Sequence, residues 1–597
     1  MLFFLFAFTL LGAISYAAGV SVGYLFRALP LGYRLGDYWL AATWLGLLTL
    51  GNALLALSLL VPLTPLNGAL LALVLCLPAL TIGKRRLRWP ALRQALWKRK
   101  SWLMAGGLIA VAVGAFLNRP SFVVDAGAYH IGSVEWLSRH GAVPGLALLN
   151  CTLGYGSAWF ALVAPLNAGA FAGRAYNAAN GFVYLLLGLQ IVLAGSRAWR
   201  RAAQPADWFL LTTSVLMWLL ATRFMGAILP SPSPDIPVAL GLPTVAWAFF
   251  LSENAEGATR GDLPEPRLAA QLMALGLSGV KLNALPAAAL CGLFLIAASR
   301  RASCLARATL GGVLLLAPSL ATRVVMSGYP FFPARALGLG LPWEYASDRP
   351  EFTSAGIRAF AQWSGKPAPD GPDYPLRWLP HWIAHEPLAA GLMFLQLGAL
   401  AWAWRRWRRW TPAMRWAFAL AGLGALYVMA AAPALRFLLG YAVIALGVLL
   451  TDAAGQLAQR WRRSLPAVCQ DGYARFSVAA PAGLLAAAIL TLSLVSSNTE
   501  RLIRQAIAAG RVTDGPDHAP GWLRPPRVRR IEYVAGDLPR DTTVARRRIN
   551  DVEVVEPHAM CWDLPLPCSP PYHKTGFRLR DPQRGVAGGF IRGPNKP

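Results

Sequence analysis

The chain consists mainly of long apolar segments separated by short polar ones. A bilayer core about 30 Å thick needs roughly 20 apolar residues per helix, so segments of this length predict membrane-spanning helices. Segment 268–299 is also apolar, but Lys281, Asn283 and Pro286 interrupt it, which predicts two shorter helices. With these two, the expected total is about 14. The other twelve are expected near residues 1–25, 38–62, 66–83, 102–117, 177–196, 208–229, 238–252, 308–324, 386–404, 413–431, 438–457 and 477–497.

Composition agrees with this pattern. Of the 597 residues, 56% are hydrophobic and only 14% are charged, against about 25% charged residues in a typical soluble domain. These values exclude a soluble enzyme and predict an all-α polytopic membrane protein.

The net charge of +28 raises the question of a nucleic-acid partner, but the basic residues lie between apolar segments. Loop 84–100 holds eight basic residues and no acidic one, which places it in the cytoplasm by the positive-inside rule. An even number of spans then puts both termini on the outer side of the membrane. No basic stripe with interleaved aromatic residues forms a domain, so no nucleic-acid partner is expected.

The predicted spans divide the chain into alternating membrane and outer parts. Apolar segment 156–174 would break the alternation if it crossed the bilayer, so we expect a helix lying on the outer interface. The tail contains short β-like runs, 531–536 and 552–556, between Pro, Gly and Arg, and predicts a small, partly irregular domain. Its arginine clusters at 527–530 and 545–548 either touch anionic lipid or glycan or form a solvated surface, which is the more common case. The predicted parts are N-terminal helices 1–117, a first outer loop 118–176, a central bundle 177–324, a second outer loop 325–385, C-terminal helices 386–497 and a periplasmic tail 498–597.

The first outer loop contains a candidate catalytic acid. Asp125 precedes a predicted helix over 126–140, so it is either an N-cap, a role that Asp favours, or a general base at the membrane surface. Tyr129 falls on one face of that helix. His130 is either a proton carrier, a hydrogen-bond donor to a phosphate, or a histidine packed beside Tyr129.

Two further acidic positions stand in this part of the chain. Glu135 and Arg139 have the i,i+4 spacing of a solvated ion pair of small energy. Asp235 follows three prolines in the sequence LPSPSPDIP. It either caps the next helix, holds a substrate hydroxyl, or shares a divalent cation with Asp125; no other cofactor is expected.

Three cations are placed unusually for residues of apolar segments. Lys281 lies at the predicted break, where a charge is costly. Arg323 ends a span, and Arg436 stands at a helix mouth in APALRFLLGY. They either snorkel to lipid phosphates or converge on a phosphate ligand in an outer cleft.

Cys561 and Cys568 lie in the predicted exported tail, in the sequence CWDLPLPC. Their short separation suits a local disulfide in an oxidising compartment. No second CxxC or matching His pair accompanies them, so a zinc site is not expected. The other cysteines that we weighed, Cys76, Cys291, Cys304 and Cys469, are interpreted as packing residues.

With these motifs in their order, the chain resembles the GT-C class of membrane glycosyltransferases, and more narrowly a family of bacterial multi-pass membrane proteins allied to it. The stretches that carry the resemblance are DAGAYHIGSVEWLSRHGAVPG, SPSPDIP, VKLNALP, SGYPFFP and CWDLPLPC, within residues 100–597. The chain departs from the class in having several spans before the segment that contains Asp125, where many of these enzymes have one, and no acid between Pro433 and Arg436.

The resemblance implies transfer of a sugar from a polyprenyl-phosphate donor to a glycan or lipid acceptor on the periplasmic face. Asp125 then corresponds to the acid that activates the acceptor, and Lys281, Arg323 and Arg436 correspond loosely to the residues that hold the lipid phosphate. Two alternatives stay open: an O-antigen-type polymerase or ligase, and a non-enzymatic transporter of lipid-linked glycans. The absence of Walker A and Rossmann glycine patterns argues against chemistry driven by ATP within this chain.

Overall fold

The computed structural model describes residues 2–98, 100–118, 121, 123–255, 265–298, 301–346, 354–363, 369, 375–464, 545–557, 560–570 and 576–594. The first ten α-helices are α1 (Leu2–Leu25), α2 (Leu35–Ser58), α3 (Pro65–Leu80), α4 (Trp89–Lys98), α5 (Lys100–Leu117), α6 (Ile131–Arg139), α7 (Leu146–Leu149), α8 (Ala158–Val163), α9 (Ala178–Trp199) and α10 (Pro205–Met225). The next ten are α11 (Asp235–Ala255), α12 (Pro266–Val280), α13 (Leu285–Ala298), α14 (Ala302–Leu315), α15 (Ala317–Ser327), α16 (Ser354–Gln362), α17 (Pro375–His385), α18 (Pro387–Arg406), α19 (Pro412–Ala431) and α20 (Leu435–Ser464).

Nine helices in the described part of the chain are long and apolar enough to cross a membrane. Each coincides with a predicted span, and α14 and α15 together form one of them. An α-helical polytopic protein is therefore the class that the fold defines. The predicted span 477–497 lies outside the described residues.

The remaining predicted spans are shorter or interrupted. Helix α3 is followed by a bend of 99° that leads into residues 84–98, and the apolar part of α5, Trp102–Leu117, has fewer than 18 residues. Segment 268–299 breaks where its polar residues predict. Helix α12 ends at Val280, and α13 begins at Leu285, so the two form a helical hairpin with Lys281 at its tip.

The bundle is packed closely where small residues meet. Helices α1 and α2 cross at Gly19 and Gly46, where a Cβ atom on Gly19 would stand 1.7 Å from the carbonyl oxygen of Ala42. Helix α12 is buried along almost its whole length, Arg267 being its one partly exposed residue. Because other helices surround α12, it faces protein and needs no full bilayer length of its own.

The first outer loop is folded inside the protein, which corrects two predictions. Segment 156–174 is no single interfacial helix: it contains the six-residue α8, whose side chains are all buried, followed by short 3₁₀ turns. Glu135 is no solvated residue either. It is 6% exposed and accepts hydrogen bonds from Asn167 and Tyr176 in addition to its ion pair with Arg139.

The described part of the tail contains four short strands, which form two antiparallel pairs. Strand β1 (Ala545–Ile549) pairs with β2 (Val552–Glu556), and β3 (Phe577–Leu579) pairs with β4 (Phe590–Arg592). A disulfide joins Cys561 and Cys568. The arginines of cluster 545–548 belong to β1 and are exposed, and two of them pair with glutamates of β2, so this cluster is a solvated strand face. Segments 527–530 and 531–536 lie outside the described residues.

The tail packs onto the first outer loop. The backbone N–H of Trp562 donates to the carbonyl of Gly127 at 2.9 Å, and that of Phe590 donates to Pro144 at 2.9 Å. A Cβ atom on Gly127 would stand 2.4 Å from the Trp562 indole. Residue 127 therefore has to be glycine for the indole to lie where it does.

Candidate functional site

Four charged side chains from separate parts of the chain meet at one end of the bundle. Asp125 follows α5, Asp235 begins α11, Lys281 is the tip of the α12–α13 hairpin, and Arg436 lies in the first turn of α20. We call these four residues the charge cluster. It lies beyond the end of α5 that is opposite to loop 84–98. We call this end of the bundle the outer face, because the positive-inside rule predicts that loop 84–98 is cytoplasmic.

The contacts form a continuous chain of opposite charges. The guanidinium of Arg436 donates to Asp125 Oδ2 at 2.7 Å and stands 3.5 Å from Asp235 Oδ2. Lys281 Nζ donates to Asp235 Oδ1. Two carboxylates and two cations give this cluster no net charge, so each charge is compensated inside the protein.

Three members of the cluster are partly exposed, among them Lys281, whose side chain is 25% exposed. Asp235 is 4% exposed, whereas Asp125 and Arg436 are 29% and 41% exposed in their side chains. Phe437 lies against both cations, with Lys281 Nζ 4.1 Å and the Arg436 guanidinium carbon 5.0 Å from its ring centroid. The Asp125 and Arg436 pair is therefore the most solvent-accessible part of the cluster, and we call it the open side.

Asp125 has no capping role in this structure. Its backbone is already helical, its carboxylate makes no capping hydrogen bond, and a π-helical turn over Ala126–His130 follows it. Such turns are rare in proteins, and where they occur they are often at functional sites. Below the turn, Asn150 donates to the carbonyl of Ala128 at 2.9 Å, so the backbone after Asp125 is held in place.

Asp235 is positioned by the proline-rich segment before it. The Ser233 hydroxyl accepts from the Asp235 backbone N–H at 3.3 Å. Asn180 of α9 donates to the carbonyl of Ser231 and accepts from the Trp159 indole N–H. Because the Ser233 hydroxyl binds the Asp235 backbone N–H, the Asp235 carboxylate is available to pair with Lys281 and Arg436.

Lys281 lies at a break between two helices, and the backbone carbonyls that the break leaves without helical partners accept hydrogen bonds from side chains. Ser157 donates to the Val280 carbonyl and Tyr441 to the Asn283 carbonyl, each at 2.7 Å. Tyr427 lies 3.5 Å from the Leu282 carbonyl oxygen. These hydrogen bonds compensate the helix break, which would otherwise leave polar groups unsatisfied in an apolar bundle.

The field of the cluster keeps Asp125 ionised. Burial raises the pKa of the Asp125 carboxyl, but the charge of Arg436, its hydrogen bond and the charge of Lys281 outweigh burial, so that the pKa lies below its ordinary value. Burial, together with Asp125 and Asp235, raises the pKa of Tyr129 well above its usual range. The Tyr129 phenol therefore stays protonated and remains a hydrogen-bond donor.

His130 lies next to the cluster as a packing residue. It is 1% exposed and contacts the rings of Tyr129 and Phe160 at centroid distances of 4.4 and 5.6 Å. Burial lowers the pKa of His130 to about 4, against the pull of Asp125 and Asp235 in the other direction. The imidazole is therefore neutral at pH 7, as the packing interpretation requires.

Arg323 stands apart from the other predicted cations. It is 4% exposed, and its guanidinium donates to the carbonyls of Gly156 and Phe332 at 3.0 and 3.2 Å. It therefore joins two loops of the outer face and makes no contact with the charge cluster. Its expected place beside Lys281 and Arg436 is wrong.

The donor set does not gather around a metal position. In the described part of the chain, no three or more His, Cys, Asp or Glu side chains are arranged to hold a metal ion. Asp125 and Asp235 do face a common cation, but that cation is the guanidinium of Arg436.

Sequence reasoning missed a second group of charges at the opposite end of the bundle. Arg34 and Arg197 both bind Asp207, with donor–acceptor distances of 2.7 Å, and both also contact Asp37. This group joins α2, α9 and α10. Its signal was the presence of two acids, Asp37 and Asp207, in or beside segments that are otherwise basic and were predicted to be cytoplasmic.

The class of this protein is thus an α-helical membrane protein with an internally neutralised charge cluster at its outer face. The chain belongs to the family described as Domain of unknown function (DUF8201), whose profile matches residues 1–443. The matched region contains all four residues of the charge cluster and ends before the tail. No curated protein matches the chain, and no solved structure does.

Proposed function

We propose that this protein is a glycosyltransferase of the inner membrane of a bacterium, with its active site on the periplasmic face. It transfers a sugar from a polyprenyl phosphate to a glycan or lipid acceptor of the cell envelope. The observation that supports the proposal is the meeting of Asp125, Asp235, Lys281 and Arg436 at the outer face. Such a reaction needs a carboxylate to take a proton and cations to receive a phosphate leaving group.

In the absence of a ligand, the cations of the cluster are paired with carboxylates that an anionic ligand can replace. Both cations are held by carboxylates, and the most exposed contact is the one between Arg436 and Asp125. A donor phosphate that enters from the open side competes with Asp125 for the guanidinium, since Arg binds phosphate in the same bidentate manner as carboxylate. Loss of the Arg436 contact raises the proton affinity of Asp125 at the moment when the donor is bound.

The bonds and charges of the transfer then balance. The acceptor hydroxyl attacks the anomeric carbon, the bond from that carbon to the phosphate oxygen breaks, and the new glycosidic bond forms. The hydroxyl proton passes to Asp125, and the polyprenyl phosphate leaves as a dianion beside Arg436 and Lys281. Asp235 keeps Lys281 and Arg436 in place throughout.

Substitution of Asp125 tests this role. Asp125→Asn keeps the shape of the side chain and removes its ability to accept a proton, so we expect the rate of sugar transfer to fall by about 10²–10⁴-fold. The assay uses purified protein with single-sugar polyprenyl phosphates and a polyprenyl-diphosphate oligosaccharide acceptor. Asp452→Asn is the matched control, because Asp452 also pairs with an arginine, Arg406, at 2.6 Å but lies far from the cluster in α20. Equal activity of both variants would refute the role of Asp125.

The polymerase or ligase alternative differs in its donor. Those enzymes use a glycan on a polyprenyl diphosphate, so the same preparation is offered a diphosphate-linked oligosaccharide as the donor. Transfer from this donor and none from the monophosphate would favour the alternative. The cluster itself favours the monophosphate, because its two cations match one small phosphate.

A transporter is favoured by one feature, the discontinuous α12–α13 hairpin with a charged residue at its tip. Broken helices with polar tips also line substrate sites in transporters. Protein reconstituted in liposomes distinguishes the two functions. Translocation of a lipid-linked glycan that persists in Asp125→Asn, without any sugar transfer by the unsubstituted protein, would favour transport.

The proposed side of the membrane is tested separately. Single cysteines introduced within 90–98 and within 580–590 are labelled with a thiol reagent that does not cross the membrane. We expect labelling of intact spheroplasts at 580–590 alone. Labelling at both positions would contradict the proposed orientation.

A further inference from the structure

A long apolar groove runs along the side of the bundle, at a distance from the charge cluster. It encloses about 1040 Å³ between α1, α2, α4, α5 and α9, which is at the upper end of the roughly 300–1,000 Å³ typical of small-ligand sites. Its wall on α9 extends from Phe182 to Arg197, about 23 Å at 1.5 Å per residue. No residue of the charge cluster lines it.

The walls of the groove are apolar along most of this length. Phe8 of α1 and Leu185 and Leu189 of α9 face it, and α5 contributes Leu103 and Gly107 on the other side. Leu103 is 50% exposed, and no atom lies within 4 Å of a Cβ placed on Gly107. The groove is therefore open sideways, in the direction from which a membrane lipid enters.

Two kinds of cation lie at the mouth of the groove. Arg34 and Arg197 line it, but their charges are compensated by Asp37 and Asp207. Lys98 and Arg200 also line it and are exposed. Neither of these two has an ion-pair partner among the residues that the structure describes, so the mouth carries two uncompensated positive charges.

The mouth lies at the loop 84–98 end of the bundle, which the positive-inside rule assigns to the cytoplasm. Helix α4 lines the groove there and follows a bend of 99° after α3. Its Trp89 and Trp97 side chains are 59% and 73% exposed. A short helix with basic residues and exposed Trp is typical of the boundary between lipid headgroups and acyl chains.

We propose that this groove binds an anionic glycerophospholipid of the cytoplasmic leaflet. The acyl chains occupy the apolar wall, and the phosphate lies between Lys98 and Arg200. Charge complementarity selects this occupant, because the cytoplasmic leaflet is rich in anionic lipids, whereas a zwitterionic lipid brings its own cation to a mouth that already has two. This site does not depend on the proposed sugar transfer.

The experiment uses the full-length protein in detergent, with retained lipid counted by native mass spectrometry. The probes are phosphatidylglycerol and phosphatidylcholine of the same chain length, added singly. Each basic residue near an anionic surface contributes a gain of roughly fivefold, so the pair gives a preference for phosphatidylglycerol of roughly 30-fold. We expect Lys98→Gln/Arg200→Gln to lose this preference and Lys98→Arg/Arg200→Lys to keep it.

Two controls separate the groove from general attraction to a basic surface. Arg408→Gln/Arg409→Gln removes two exposed arginines outside the groove and should leave the preference unchanged. Gly107→Phe fills the groove without touching a cation and should abolish retention of both lipids. Gly398→Phe is its match, because Gly398 also has open space around it but lies on α18, outside the groove.

Several results would overturn the proposal. One is an unchanged preference in Lys98→Gln/Arg200→Gln that still elutes as a single folded species. Another is equal lipid retention by Gly107→Phe and Gly398→Phe. Competition by glycerol 3-phosphate at the same concentration as the lipid would also overturn it, because the acyl chains would then contribute nothing.

Discussion

The two carboxylates of the charge cluster should differ sharply in their effect on stability. Asp235 is 4% exposed and contacts both Lys281 and Arg436. Removing one member of a buried ion pair leaves an uncompensated charge, which typically lowers the free energy of unfolding by about 3–5 kcal/mol. Because Lys281 is 25% exposed and partly reaches solvent, we expect the lower end, about 3 kcal/mol, for Asp235→Asn. Asp125 and Arg436 form a half-exposed pair, so Asp125→Asn should cost at most about 1 kcal/mol.

Thermal unfolding in detergent measures this difference. Cys76, Cys151, Cys291 and Cys304 are buried free thiols, so a dye that becomes fluorescent on reaction with thiols reports their exposure. The Cys469→Ser substitution removes the one other cysteine of the sequence outside the disulfide from the signal. The free energy of unfolding should follow the order unsubstituted protein, Asp125→Asn, Asp235→Asn.

A second substitution checks that charge is the cause. Lys281→Met in the Asp235→Asn protein removes the unpaired cation and places an apolar chain against Phe437, so most of the lost stability should return. An unfolding midpoint of Asp235→Asn equal to that of the unsubstituted protein would refute this reasoning. So would a larger loss in Asp125→Asn than in Asp235→Asn.

Three further predictions concern single positions. The pKa of His130 is about 4 in the folded state and about 6.5 in the unfolded state, so the unfolded state binds more protons between these two pH values. The free energy of unfolding should therefore fall as the pH falls from about 6.5 to 4. Unfolding measured at pH 7 and at pH 5 should show a smaller fall in His130→Gln. Gly424→Ala places a methyl group 2.0 Å from the Tyr441 ring, and the overpacking should cost roughly 1–3 kcal/mol in the same unfolding assay; an unchanged midpoint would show that the ring moves freely. Gly127→Ala should displace Trp562 and make the tail more sensitive to limited proteolysis, whereas an unchanged cleavage rate would contradict the described docking.

The sequence predicted the fold where the signal was local. The apolar segments predicted nine spans among the described helices, and the cost of a charge in an apolar segment predicted the break at Lys281. The sequence also indicated Asp125, Asp235, Lys281 and Arg436 as candidates for one outer site. What it could not supply was which partners meet, because Asp125 and Arg436 are separated by 311 positions.

Local patterns were ambiguous or misleading where a residue had a distant partner. Asp125 precedes a helix, which suits a cap, yet its carboxylate pairs with Arg436. The i,i+4 spacing of Glu135 and Arg139 is typical of a solvated pair, yet Asn167 and Tyr176 from a later segment bury Glu135. Arg323 was grouped with the other cations because it ends a span, but its guanidinium donates hydrogen bonds to two backbone carbonyls.

The docking of the tail has a consequence for biosynthesis. Gly127 lies two residues after Asp125, and its carbonyl is bound by the Trp562 peptide from the far end of the chain. During translation, the loop with Asp125 therefore reaches its final support only after residue 562 has been made. Trp562 also lies inside the loop closed by Cys561 and Cys568, so in the proposed orientation thiol oxidation after export is part of the maturation of this protein. A cell unable to form disulfides would accumulate inserted helices with an unsupported outer loop.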